Sequence, residues 1–189
     1  MATVLTCFLY LSNMQAQVPE PRTEPHHGIG FMMGYGSQNG LNTRYRYQVR
    51  FFQFQYYYRL LQKESWQLEL LAQPQYNVTH VRPIDYMPNE VSGFEYGINI
   101  GLLIRKPLFN EFLSVYAALS LGPHYVSETP RRQTNGFIFS DNLFLGVNIK
   151  LTNRLFLDLR PGFRHLSNAG LKRPNFGINN LVFSSGFWV

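Results

Sequence analysis

From Phe94 the chain reads FEYGINIGLLIR, and its residues sort by parity. Phe94, Tyr96, Ile98, Ile100, Leu102 and Ile104 fall on one side, and Glu95, Gly97, Asn99, Gly101, Leu103 and Arg105 on the other. An apolar period of two predicts a strand, and this one has the length of a tilted membrane crossing, about 9–11 residues. The pattern recurs. Leu113, Val115, Ala117, Leu119 and Leu121 alternate with Ser114, Tyr116, Ala118, Ser120 and Gly122. Leu143, Leu145, Val147, Ile149 and Leu151 alternate with Phe144, Gly146, Asn148 and Lys150, and Leu155, Leu157, Leu159 and Phe163 face away from Asp158, Arg160 and Arg164. Nearer the start, Ile29, Phe31, Met33 and Tyr35 stand over glycines. A long strand is expected from about Tyr45 to Leu60, its alternation slipping near Phe51-Phe52 as at a bulge. Trp66, Leu68, Leu70 and Ala72 mark another strand, and LVFSSGFWV closes the chain as the eighth.

One face of these strands is uniformly apolar. The other mixes Gly, Ser and Asn with single charges. A soluble sandwich would bury its apolar faces against each other; here the pattern predicts a narrow antiparallel barrel with lipid outside and polar groups within. The connections agree. Those near 62–65, 106–111 and 152–153 are short, and those near 37–44, 73–93, 125–136 and 168–178 are longer. Strict alternation of tight and long connections is the habit of bacterial outer-membrane barrels, with the tight turns and both termini on the periplasmic side.

Composition narrows this further. The 189 residues suit a single domain. Phe and Tyr number 16 and 12, charged residues make up only 15%, and no apolar run reaches the roughly 18 residues of a spanning helix. Residues 1–16 read as an export signal cut after Ala16, leaving 17–189 as one barrel domain. Cys7 is the only cysteine, so the mature chain would have neither disulfide nor thiolate metal site. The net charge of +6 comes from Lys and Arg scattered singly or in pairs such as Arg131-Arg132 and Lys172-Arg173. That dispersion points to an anionic membrane surface rather than nucleic acid.

Candidate chemistry lies at the end of the seventh strand. The parity that sends Leu155, Leu157, Leu159 and Phe163 to lipid also sends out His165 and Ser167, and counting back from Phe187, Phe183 and Leu181 adds Asn179. Two readings stand. These groups mark the level where the membrane gives way to water, or they form a reactive site facing lipid. Elsewhere, His26-His27 would point to opposite faces, which disfavours a shared metal, and His124 has inward parity. Asp158, Arg160 and Arg164 share the interior face, where buried charges must be paired. The chain has no Gly-rich phosphate loop, metal-ligand spacing or G-x-S-x-G elbow, so no metal or cofactor is expected.

The stretch HLSNAGLKRPNFGIN, from His165 to Asn179, resembles the signature of the outer-membrane lipid A 3-O-deacylases of the PagL type. In that signature, histidine, any residue, serine, asparagine and alanine precede a Pro-Asn-x-Gly turn. The resemblance implies an esterase on the barrel exterior that removes an acyl chain from lipid A in lipopolysaccharide. By it, Ser167 is the nucleophile and His165 its base. Asn168, Ala169, Gly170 and Asn175 would hold the oxyanion, and Lys172 and Arg173 would lie near the lipid A phosphates or serve as ordinary loop charges. The family's third member is a glutamate fourteen residues after the histidine, where this chain has Asn179. Three outcomes stay open: Asn179 orients the imidazole more weakly, another acid such as Asp141 or Glu128 reaches in, or the site is slow or dead. The rivals are a non-catalytic surface barrel and a small channel, though inward Tyr116, Phe144 and Arg160 argue against an open lumen. A homodimer is left open.

Overall fold

A computed structural model describes residues 26–41, 43–82, 89–109 and 112–189. The expected export signal lies outside them. Eight strands close into an antiparallel barrel in chain order: β1 (His27–Ser37), β2 (Arg46–Gln62), β3 (Gln67–Arg82), β4 (Val91–Leu108), β5 (Leu113–Val126), β6 (Gly136–Lys150), β7 (Phe156–Ser167) and β8 (Ile178–Trp188). β1 seals the ring by pairing with β8, Phe31 opposite Phe187 and Ser37 opposite Leu181. No helix among the described residues is long and apolar enough to cross a membrane, and closure leaves no sheet edge unpaired.

The parity expected from sequence is realised. Ile98, Ile100, Leu102 and Ile104 are exposed outward, whereas Glu95, Asn99, Leu103 and Arg105 are buried inside. The lumen is filled rather than open. Among the described residues its three buried carboxylates each meet an arginine. Glu69 takes a two-pronged bond from Arg105 at 2.9 and 2.8 Å. Asp158 takes Arg160 at 2.5 Å and Tyr116 at 2.6 Å. Glu95 holds Arg164 and His124, with the Tyr47 hydroxyl donating to it at 3.2 Å. Pairing of this quality offsets the cost of holding charged groups away from water. At the end that bears the tight turns Trp188 turns inward, its ring stacked on Phe156 and 4.8 Å from the Arg105 guanidinium. Its neighbour Phe187 faces out.

Two local expectations are corrected. Alternation in β2 does not slip at Phe51-Phe52: Phe51 is buried in the lumen under Arg164, and Phe52 faces out. The irregularity lies between Arg59 and Leu61, beside the turn to β3. The reason is that this lumen accepts aromatic rings, so apolarity alone does not mark the outer face. The stretch from Gln73 on, expected as loop, continues β3 to Arg82. Its first four inward side chains are Gln73, Gln75, Asn77 and Thr79, all buried, with Val81 following them. The four are loop-like residue types that here form an interior polar ladder, with Gln53 donating to Gln75 at 2.6 Å and Gln73 to Gln55 at 3.1 Å.

Pro74 sits within that strand facing outward. Lacking an N–H, it interrupts one ladder without shifting register: β2–β3 pairing passes from Gln53↔Gln75 to Tyr56↔Ala72, while Pro74 still faces Ile98 of β4. Pro161 in β7 behaves alike. The β6–β7 ladder passes from Phe144↔Gly162 to Val147↔Leu159 at constant register, so the parity count to His165 and Ser167 survives.

Candidate active site

β6, β7 and β8 place the candidate groups. Uninterrupted register sets His165 opposite Asn179 on one side and Asp141 on the other, all of outward parity. Ser167 follows two residues after His165 on the same face, opposite Phe139 of β6. His165, Ser167 and Asn179 are each partly buried, at the end of the barrel that bears the long connections. Nδ1 of His165 is 2.6 Å from Oδ1 of Asn179. An amide oxygen can only accept, so this contact puts the proton on Nδ1 and leaves Nε2 as the basic nitrogen. Ser167 and His165 share a face without a hydrogen bond between them among the described residues; catalytic contacts of this kind commonly tighten as substrate binds.

Asn179 is itself held. The β1–β8 ladder ends at Ser37↔Leu181, and beyond it the Tyr45 hydroxyl takes over from β1. It accepts from the Asn179 N–H at 2.7 Å and donates to its carbonyl at 3.1 Å. The Arg132 guanidinium lies 4.8 Å over the Tyr45 ring and donates to the Phe176 carbonyl at 2.9 Å. Gln133 forms a bridge with Asn175 and accepts from the Gly177 N–H at 3.1 Å. The loop of residues 127–135 thus clamps the loop of residues 168–177.

Gly177 completes the site. Its φ of 71° lies in the left-handed region, and a methyl group there would overlap the His165 ring. By the hairpin's count it also stands where Ser167 would otherwise face a side chain. Asn168, only 1% exposed, is committed to the loop. Its N–H donates to Asn175 Oδ1 at 2.9 Å, its side-chain amide donates to the Lys172 carbonyl at 2.9 Å, and its Oδ1 accepts from the Gly170 N–H at 3.0 Å. Among the described residues, the Ala169 N–H and the Asn175 side-chain amide donate to no protein group. Ala169 has a φ of 52°, in the left-handed region, so the chain turns there. Lys172 and Arg173 are exposed on the same loop.

Of the candidate acids, Asp141 stands beside His165 on β6, whereas Glu128 is set apart, its Cβ beside Gly93 of β4. His124 and Asp158 lie in the lumen. His27 bonds the Tyr56 hydroxyl at 2.6 Å. Parity found His165, Ser167 and Asn179. It did not find Tyr45, Gln133 or Gly177, whose roles arise from contacts between loops distant in sequence; the glycine of the Pro-Asn-x-Gly turn was the one local hint.

The family model described as Lipid A 3-O-deacylase (PagL) matches residues 43–188. The crystal structure of the outer membrane enzyme PagL superposes with a TM-score of 0.60 at 15% identity, covering 84% of this chain and 97% of that one. Neisserial surface protein A matches at a TM-score of 0.48 and 15% identity over 87% and 97% of the two chains. The outer membrane protein OprG from Pseudomonas aeruginosa matches at 0.44 and 11% over 87% and 95%. No curated protein matches by sequence.

Proposed function

Because the chain belongs to the lipid A 3-O-deacylase (PagL) family, we propose that it hydrolyses an ester-linked acyl chain of lipid A, at the 3 position, from the exterior of its barrel in the bacterial outer membrane. The observation that carries this reading is the shared outward face of His165, Ser167 and Asn179 at the end bearing the long connections. A hydroxyl and an imidazole on that face meet acyl chains directly.

The reaction follows from the groups present. Nε2 of His165 takes the Ser167 proton as Oγ bonds to the ester carbonyl carbon. The imidazolium then gives that proton to the departing sugar oxygen as the carbon–oxygen ester bond breaks. Water, deprotonated by the same imidazole, releases the fatty acid and restores the serine. The Ala169 N–H and the Asn175 amide supply donors for the oxyanion, a contribution on the order of 3 kcal/mol each in other hydrolases. Asn168 and Gly170 hold the loop that presents them. Lys172 and Arg173 lie where anionic phosphates of lipid A would approach, and the chemistry calls on no metal or cofactor.

Mass spectrometry of lipid A from cells expressing the wild type and Ser167→Ala tests this. The wild type should yield lipid A lighter by one acyl chain, and the variant should not. Unaltered lipid A with folded wild-type protein in the membrane would sink the reading. It would favour instead a barrel without turnover, which the amide at Asn179 already suggests as the alternative.

A further inference from the structure

Asp141 stands on the outer face of β6 among apolar neighbours. Phe139 and Leu143 flank it along the strand, and Leu121 faces it from β5. On β7 it faces His165, with Ser167 diagonal to it. A carboxylate on a lipid-facing position is costly unless it has a partner, and among these neighbours only the imidazole can supply a compensating charge. Directly opposed residues on antiparallel strands bring their Cβ atoms within about 4.5–5.5 Å. Opposite charges at the ends of two such side chains stabilise each other through space where water is scarce.

We infer that Asp141 is a positioning residue for the base: its carboxylate stabilises the His165 imidazolium through space, while Asn179 fixes the tautomer from the other side. Two tasks that a single acid performs in a Ser-His-Asp arrangement are divided here between two strands. The amide aligns the ring at Nδ1, 2.6 Å away, and the carboxylate on β6 balances the charge that the ring acquires. The groups facing the imidazole from each side are Asp141 on β6, Asn179 on β8, Phe163 and Ser167 on its own strand, and Gly177 in the following turn. Arg132, tied to Tyr45 above Asn179, is a cation of the clamping loop. Asp141 is the sole acid in this set.

The inference rests on the Ser–His reading but not on lipid A as substrate, so its test uses a lipophilic fluorophosphonate, which phosphonylates an activated serine whatever the natural ester. Labelling rates at Ser167 are compared for wild type, Asp141→Asn, Asp141→Glu and Asp141→Asn/Asn179→Glu. All are first shown to be folded by the faster migration of unheated barrels in electrophoresis. Asp141→Asn should slow labelling about tenfold or more, Asp141→Glu should recover part of the loss, and a new carboxylate at 179 should recover it too. On lipid A the loss should fall on kcat rather than KM. Labelling of Asp141→Asn at the wild-type rate would overturn the inference alone. No labelling of the wild type would overturn it together with the Ser–His reading. A wild type that labels but leaves lipid A untouched would refute the substrate and leave this inference standing.

Discussion

At the scale of single residues, the site depends on one atom that is missing. Gly177 lets its chain turn through a left-handed conformation and leaves room for the His165 ring. A β-carbon there would meet both penalties, backbone strain of about 1–2 kcal/mol and overlap with the imidazole. Gly177→Ala should therefore cut deacylation by at least an order of magnitude while the barrel still folds, checked by turnover beside electrophoretic mobility of unheated samples. Full activity in that variant would show that the ring has freedom the packing denies it. The glycine was written in the sequence, but its partner was not. Gly177 reaches His165 across a hairpin, while Gln133 and Tyr45 come from other parts of the chain to hold Gly177 and Asn179. No periodicity encodes such meetings, whereas His165 and Ser167 were legible because they continue a strand's count.

Among the elements, legibility followed the lumen's chemistry. β4, β5 and β6 declared themselves because small and polar residues line their inward faces. β3 hid its second half because Gln73, Gln75, Asn77 and Thr79 have the composition of a loop and Pro74 breaks one of its ladders. Phe51 concealed the true phase of β2 by placing an aromatic ring inside. Each misreading has one cause: a plugged barrel does not sort residues by polarity alone, since rings and amides share its interior. The charge pairs within that interior make a further outcome calculable. Arg164→Met would leave Glu95 buried with its principal cation gone. Breaking such a pair costs about 3–5 kcal/mol, so the urea midpoint for unfolding in detergent should fall. An unchanged midpoint would mean that His124 and Tyr47 suffice for Glu95.

For the molecule as a whole, the paired charges Glu69–Arg105, Asp158–Arg160 and Glu95–Arg164, with Tyr57, Tyr116 and Trp188 around them, occupy the axis. Eight strands enclose a width that side chains can fill. Purified protein in planar bilayers should then pass no measurable current, and discrete conductance steps would contradict the packing. The stopped lumen also accords with the outward placement proposed for the reactive groups, since a substrate could not reach an inward site through it.

The outward face of β6–β8 has a kinetic corollary. A site that opens sideways samples its surroundings in two dimensions, so encounters are governed by how crowded the leaflet is with acylated lipid, not by bulk molarity. Diluting that lipid with inert amphiphile at constant total substrate should slow turnover in proportion, with every strand still in place.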